Sequence, residues 1–294
     1  MIRQDIDMKI WQKILLVLIL VLTITGALTY DAFYSAPSRF NIRHETLSSV
    51  YIPEQMDGVT ILFFSDLDYN NFMDKDRMQK LVNEINELSA DIVIFGGDIF
   101  DAMAKPINVV TLNTVASLLQ EIKAPLGKFA VYGDTDRSSD QRAANVADIL
   151  YRGDFEVLNN TSINLRNTGS GSITLVGLDN GVNGTTDINA AYANVSRSSY
   201  VITVCHTPDT ADLVPADTTR YFLAGHSHGG QVFWYFDSLY KPEMAEHYFR
   251  GRHTVGGTFT VDITNGVGTT IKDVRFLANA EIVLYRLEHL EVNN

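Results

Sequence analysis

Five stretches of this 294-residue chain end an apolar run in acids or histidines. They carry Asp66 and Asp68, then Asp98 and Asp101, then Asp134 and Asp136 around Thr135, then His206, then His226 and His228. One Asp after a strand is an ordinary turn former or helix cap. Five tips with nine candidate ligands suggest more, because ligand sites form where the C-terminal ends of successive strands converge. Carboxylates mixed with imidazoles suit Mn, Fe, Zn or Mg, while the lack of thiolates argues against a structural zinc knuckle. In GHSHGG the two imidazoles, two residues apart, fall on one side of a strand or turn, and Gly225, Gly229 and Gly230 let the backbone approach closely. Cys205 alternates to the face opposite His206 and reads as core.

The elements that must hold these residues follow from periodicity. GVTILFFSD, DIVIFGGD and KFAVYGD read as buried strands. Between them, KDRMQKLVNEINELSA is a helix with Met78, Leu81, Val82, Ile85 and Leu88 at helical spacing, followed by helices VVTLNTVASLLQEI and DQRAANVADILY. Alternation of this kind implies parallel pairing with crossover helices. From Phe155 the runs shorten, and SINLRN, SITLVGLD, YVITVCH, RYFLAGH and QVFWYF predict a second sheet richer in hairpins and turns. VGGTFTVDITNGVGTT reads as loop and edge strand. The fold class is α/β: two sheets face to face, with helices outside.

A formal charge of −12 without a Lys/Arg-rich block argues against nucleic-acid binding. Near the start, Ile14 to Leu28 carries no charge, and extended through Tyr30 it reaches the roughly 17 to 20 residues that span a bilayer. Arg3, Lys9 and Lys13 precede it, which predicts a cytoplasmic N-terminus and a domain beyond Tyr30 outside. A cleaved signal peptide is the rival to an uncleaved anchor. The expected organisation is an N-terminal tip and transmembrane anchor over 1–30, a connector over 31–57 and one catalytic domain over 58–294. The lone Cys205 leaves the redox compartment open, and the oligomeric state is not indicated.

From about Val59 to Leu287 the chain resembles the calcineurin-like metallophosphoesterase superfamily, particularly its membrane-associated bacterial branch. The motifs carrying the resemblance are SDLD, GGDIFD, YGDTD, VCHTPD and AGHSHGGQ. The resemblance implies an α/β/β/α sandwich of the metallo-dependent phosphatase type, here with an N-terminal transmembrane helix. It also implies two divalent ions, one held by Asp66, Asp68, Asp98 and His228 and the other by Asp98, Asp134, His206 and His226. The implied activity is hydrolysis of a phosphodiester or phosphomonoester through a metal-bridging hydroxide. The substrate would be a phosphate ester, with lipid or cell-envelope material suggested by the anchor.

Three positions depart from the family pattern. Asp68 stands where a His is usual and Asp134 where an Asn is usual, which favours hard ions, manganese first, with Mg, Fe, Zn or Ca as alternatives. Thr135 replaces a His that would be oriented by Asp101, so Asp101, Thr135 and Asp136 are the candidate catalytic positions. Threonine is no general acid near neutral pH, and about 10²- to 10⁴-fold in rate goes missing unless another group supplies it. His247, Arg250, Arg252 and His253 are either substitutes for that group, phosphate contacts or surface residues. A relative with reduced catalysis, binding a metal or phosphorylated ligand as sensor or scaffold, is the alternative function.

Overall fold

The computed structural model describes residues 9–234, 237–238 and 241–291. Arg3 of the basic flank, and Tyr235 and Phe236 of the QVFWYF run, lie outside the described residues. Helix α1 (Ile10–Tyr30) buries none of its side chains. A π turn (Asp31–Ser35) and a 3-10 turn (Ala36–Ser38) then carry the chain into the domain. Of the described residues, only the helical run Ile10–Ser38 is long and apolar enough to cross a membrane.

The domain consists of two six-stranded sheets. The first is ordered β1 (Asn41–Ser49), β14 (Glu281–His289), β2 (Thr60–Phe64), β3 (Ile92–Phe95), β4 (Lys128–Ala130), β5 (Glu156–Val157). From β2 to β5 it is parallel, crossed over by α2 (Lys75–Glu87), α3 (Val109–Gln120) and α4 (Asp140–Arg152). Each crossover helix starts at a side-chain cap, from Asp74, Asn108 and Ser139 respectively, which satisfies an otherwise orphaned amide. The second sheet is ordered β12 (Gly251–Val255), β13 (Phe259–Ile263), β9 (Tyr221–Ala224), β8 (Val201–Val204), β7 (Ile173–Gly177), β6 (Thr161–Leu165). A short helix α5 (Ile188–Tyr192) lies between β7 and β8 in sequence, and β10 (Phe233–Trp234) pairs with β11 (Asp237–Ser238).

Three apolar layers make this an α/β/β/α sandwich. Leu62, Phe64, Val93 and Phe95 face Met78, Leu81, Val115 and Val146 of the crossover helices. Alternate residues Ile61, Phe63, Ile92 and Ile94 face Leu175, Ile202, Val204 and Leu223 across the inter-sheet core. Cys205 is buried among Val176, Val201 and Phe222 on the outer face of the second sheet.

Two sequence expectations need correction. Residues 41–49, read as part of a connector, form β1 and pair along their whole length with β14. Most of this edge strand is exposed or half-buried, so its sequence lacks the apolar run that marked the interior strands. Conversely, the Thr-rich segment read as an edge holds β13, an interior strand between β12 and β9. Its β-branched residues pack as well inside a sheet as at its margin. Hairpin pairing in the second sheet is confined to its two outer pairs, β6 with β7 and β12 with β13; the centre is parallel.

Candidate metal centre

The parallel strands end side by side, and so do the polar residues that follow them. Asp66 and Asp68 follow β2, Asp98 and Asp101 follow β3, Asp134 to Asp136 follow β4, His206 follows β8, and His226 and His228 follow β9. Asp66, Asp68, Asp98, His226 and His228 all have positive φ, from 51° to 74°. Left-handed backbone costs a non-glycine residue about 1 kcal/mol or more, so the surrounding contacts must hold these five in place. Gly133 shows how close the packing is: a Cβ there would lie 1.9 Å from Asp98 Oδ1.

The seven expected ligands come together in two adjoining groups. Ligand atoms of Asp98, Asp134, His206 and His226 lie within 4.8 Å of one another, a set able to hold a metal ion. Beside them, His228 Nε2 is 3.4 Å from Asp68 Oδ2 and 3.6 Å from Asp66 Oδ1. His206 Nε2 touches both groups, 3.2 Å from Asp98 Oδ2, 3.2 Å from Asp134 Oδ1 and 3.8 Å from Asp66 Oδ1.

The hydrogen bonds free specific lone pairs. His206 Nδ1 lies 2.7 Å from the Gly96 carbonyl, which assigns a proton to Nδ1 and turns Nε2 toward the carboxylates of Asp98 and Asp134. His226 Nε2 lies 2.8 Å from the Glu243 carbonyl, so Nδ1 is bare and faces Asp134 Oδ1 at 3.0 Å. Asp68 Oδ2, Asp134 Oδ1 and His206 Nε2 are buried without any hydrogen-bond partner. Such atoms cost free energy unless something neutralises them. Asp134 Oδ1 and His206 Nε2 lie 3.2 Å apart in the four-residue group, and Asp68 Oδ2 lies in the adjoining one, so a cation in each group would offset them.

Charge points the same way. Burial, then the carboxylates of Asp66, Asp98 and Asp101, raise the Asp68 pKa well above the ordinary range. Burial and Asp134 push Asp98 up to about 7, against the pull of His206. For Asp134 burial also pushes upward, but His206 and His226 more than reverse it and its pKa falls. Burial disfavours a charged His206, yet Asp98 and Asp134 carry its pKa well above the usual value, while burial takes His228 down to about 4. Crowded buried carboxylates of this kind fit divalent ions, whose charge offsets what water no longer can.

The candidate catalytic trio separates in space. Thr135 lies at the wall of the cleft, with its hydroxyl 2.8 Å from Asp98 Oδ1 and 2.8 Å from the Phe100 carbonyl, while its amide donates to the same Asp98 oxygen at 3.0 Å. Asp136 is fully buried and accepts the amides of Asp98, Ile99 and Gly133, each at 2.9 Å. That geometry gives it a positioning role on the backbone that carries Asp98. Asp101 is fully buried as well; one oxygen accepts the Met103 amide and the other has no partner.

A cleft of about 80 Å³ opens over the centre, lined by Asp68, Asp98, Ala102, Asp134, Thr135, His226, His228 and Thr270. His247, Arg250, Arg252 and His253 are not on that wall. His247 pairs with Asp212 at 3.0 Å, Arg252 with Glu45 at 2.7 Å, Arg250 stacks over Phe233, and His253 bonds the Arg250 carbonyl.

Arg275 was not singled out in the sequence. Fully buried, its guanidinium donates to the carbonyls of Asn265, Gly266, Gly268 and Ala278 at 2.6 to 3.1 Å and reaches that of His228 at 3.4 Å. It ties the loop over Asp66 to the loop carrying His228. An arginine seven residues past a Gly-rich turn carries no pattern that distinguishes it from a surface residue.

A family model for calcineurin-like phosphoesterase matches residues 59–230. The chain belongs to this family. It is 28% identical over 268 residues to the uncharacterized metallophosphoesterase YkuE of Bacillus subtilis, covering 91% of this chain and 92% of that protein. It is 26% identical over 264 residues to an uncharacterized metallophosphoesterase of Helicobacter pylori, covering 88% of this chain and 66% of that one. A Danio rerio transmembrane protein with a metallophosphoesterase domain is 23% identical over 287 residues, 90% of this chain and 61% of its own length. Membership makes metal-dependent phosphoester hydrolysis the general class of activity, with divalent metal ions as cofactor and a phosphate ester as substrate.

Proposed function

We propose that this chain is a membrane-anchored dinuclear phosphoesterase. Asp66, Asp68, Asp98 and His228 would hold one ion, Asp98, Asp134, His206 and His226 the other, with Asp98 shared. The observation that carries the reading is the pair of adjoining ligand groups holding buried, unpartnered atoms, Asp134 Oδ1 and His206 Nε2 in one and Asp68 Oδ2 in the other. Four carboxylates among seven ligands favour a hard ion, manganese before zinc. When bound, the ions would supply an activated water and Lewis acidity toward the phosphoryl oxygens.

The chain's own residues do the positioning. Gly96 and Glu243 carbonyls fix the ring orientation of His206 and His226. Thr135 holds Asp98 Oδ1 from two donors, and Asp136 holds the backbone on which Asp98 sits. In this reading α1 is an uncleaved anchor and the domain lies outside the cytoplasm; residues 1–30 form the anchor unit and the fold proper follows. The ester is one presented at the membrane or cell envelope.

A catalytically reduced, ligand-binding role is the second reading, favoured by Thr135 in the cleft wall and the unpartnered Asp101 oxygen. Hydrolysis of bis(p-nitrophenyl) phosphate by the full chain, stripped of metal and then given manganese, separates the two. Manganese-dependent turnover that falls by about 10²-fold or more in Asp98→Ala, beyond the loss of an outer-shell partner, supports the hydrolase. Tight manganese binding with no turnover toward this ester or its monoester supports the binding role.

A further inference from the structure

The sheet topology fixes where the anchor meets the domain. Strand β1 runs parallel to β14, and β14 antiparallel to β2. Therefore β1 begins at the edge where β2, β3 and β4 end, which is the edge bearing Asp66, Asp98 and Asp134. Only residues 31–40 separate α1 from β1, and the two turns within them keep the span to about 20 Å or less at helical rises.

That span is held by bonds along its length. The Ala32 carbonyl accepts from the Arg275 amide at 3.0 Å, and the Pro37 carbonyl accepts from the Arg77 guanidinium. Lys80 donates to the Ser38 carbonyl at 2.7 Å, and Arg39 pairs with Asp31 at 2.9 Å. Arg275 is the same residue whose side chain holds the metal-centre loops, so the base of α1 and the cleft share one support.

Large apolar side chains are exposed on this edge. Met103 (55% exposed) follows cleft-lining Ala102, and Ile271 (51%) follows cleft-lining Thr270. Val109 (69%) and Val110 (72%) open α3 on the same edge, and Phe33 (51%) and Tyr34 (72%) extend from the base of the anchor. Exposed Lys75, Lys105 and Lys272 stand on this edge, with exposed Asp74 and Asp76 at the start of α2. Apolar side chains with interspersed charges and lysine stems suit the boundary between acyl chains and headgroups.

We propose that the cleft opens onto the bilayer that holds α1, with Met103 and Ile271 seated in its interface, so that the ester it receives is a phosphate carried by a lipid. This rests on the anchored-phosphoesterase reading above. The full chain, reconstituted in vesicles of phosphatidylcholine and phosphatidylglycerol, tests it through nitroxides at Met103→Cys or Ile271→Cys. Leu18→Cys serves as the inserted control. Tyr151→Cys serves as the aqueous control, because α4 leaves the metal edge and ends at the opposite one. Cys205 is fully buried and stays unlabelled.

The expected result is a ratio of oxygen to nickel-chelate accessibility several-fold higher at 103 and 271 than at 151. Ratios at 103 and 271 equal to that at 151, with Leu18 inserted, would overturn the proposal and leave the anchor standing. A water-exposed label at 18 would remove both. Turnover of the soluble diester by the same preparations reads the phosphoesterase assignment independently.

Discussion

The hydroxyl of Thr135 lies 2.8 Å from Asp98 Oδ1, and the Thr135 amide lies 3.0 Å from the same oxygen. The residue at the position where the family pattern has a histidine therefore bonds the carboxylate proposed above as the shared ligand. Thr135→Val keeps the shape and the amide but removes the hydroxyl, and should weaken manganese affinity about 10-fold, within the range for outer-shell partners. Thr135→Ser should stay within about 2-fold. Calorimetric titration of the metal-free protein measures both.

Among the described residues lining the cleft, the only nitrogen bases are His226 and His228, both candidate ligands. A leaving oxygen would then depart without a dedicated protein acid. Across a series of aryl phosphodiesters the rate should fall steeply as leaving-group pKa rises. Thr135→His should flatten that dependence, placing an imidazole on the wall that Thr135 now occupies. A flat dependence in the unaltered protein would indicate an acid elsewhere.

The metal-free protein should lose stability as pH rises. Asp98 has a folded pKa of about 7 against an ordinary 3.8, so between these values the folded state holds more protons and unfolding becomes easier with increasing pH. Asp68 and Asp136 are raised for the same first reason, burial, and act in the same sense. His206, raised by Asp98 and Asp134 despite burial, adds stability at low pH that is lost as pH climbs through its folded pKa. Asp134 is lowered, so its contribution is lost only below 3.8 and is constant across this window, while His228, lowered by burial to about 4, acts in the opposite sense up to its ordinary 6.5 and is outweighed by the four raised groups. Thermal unfolding in chelator should give a lower midpoint at about pH 8 than at about pH 5, and manganese should abolish or reverse the difference.

Arg275 holds at least four backbone carbonyls in the interior. Burial brings its pKa down to about 10, which still leaves it charged at neutral pH. Arg275→Ala removes this partner from the Asn265, Gly268 and Ala278 carbonyls, while Gly266 keeps the Glu281 amide, and should cost about 3 kcal/mol or more in urea unfolding, from roughly 1 kcal/mol per lost bond. Arg275→Lys should recover only part, since an ammonium lacks the fork that spans Asn265 to Ala278.

Much of the architecture was legible because periodicity and burial coincide. Met78, Leu81, Val82 and Ile85 repeat at helical spacing and pack inward together. The interior strands are apolar on both faces, since each is covered on both sides. Strand β1 escaped notice because an edge strand can be mostly polar, its place being set by pairing with β14, 240 residues later in the chain. The site residues were legible as residue types after strands. Their left-handed backbone, the fork of Arg275 and the redirection of Thr135 onto Asp98 depend on contacts between loops distant in sequence, which leave no local pattern.

Seven side chains from five loops are proposed above to form a dinuclear metal centre. Metal bound per chain after stripping and re-equilibration with manganese, determined by elemental analysis of the unaltered protein and Asp98→Ala, tests it most directly. About two ions per chain are expected, the number for which Asp98 acts as the shared ligand, with loss of at least one in the variant. Retention of no stoichiometric metal by the unaltered protein, or equal metal in both, would contradict it.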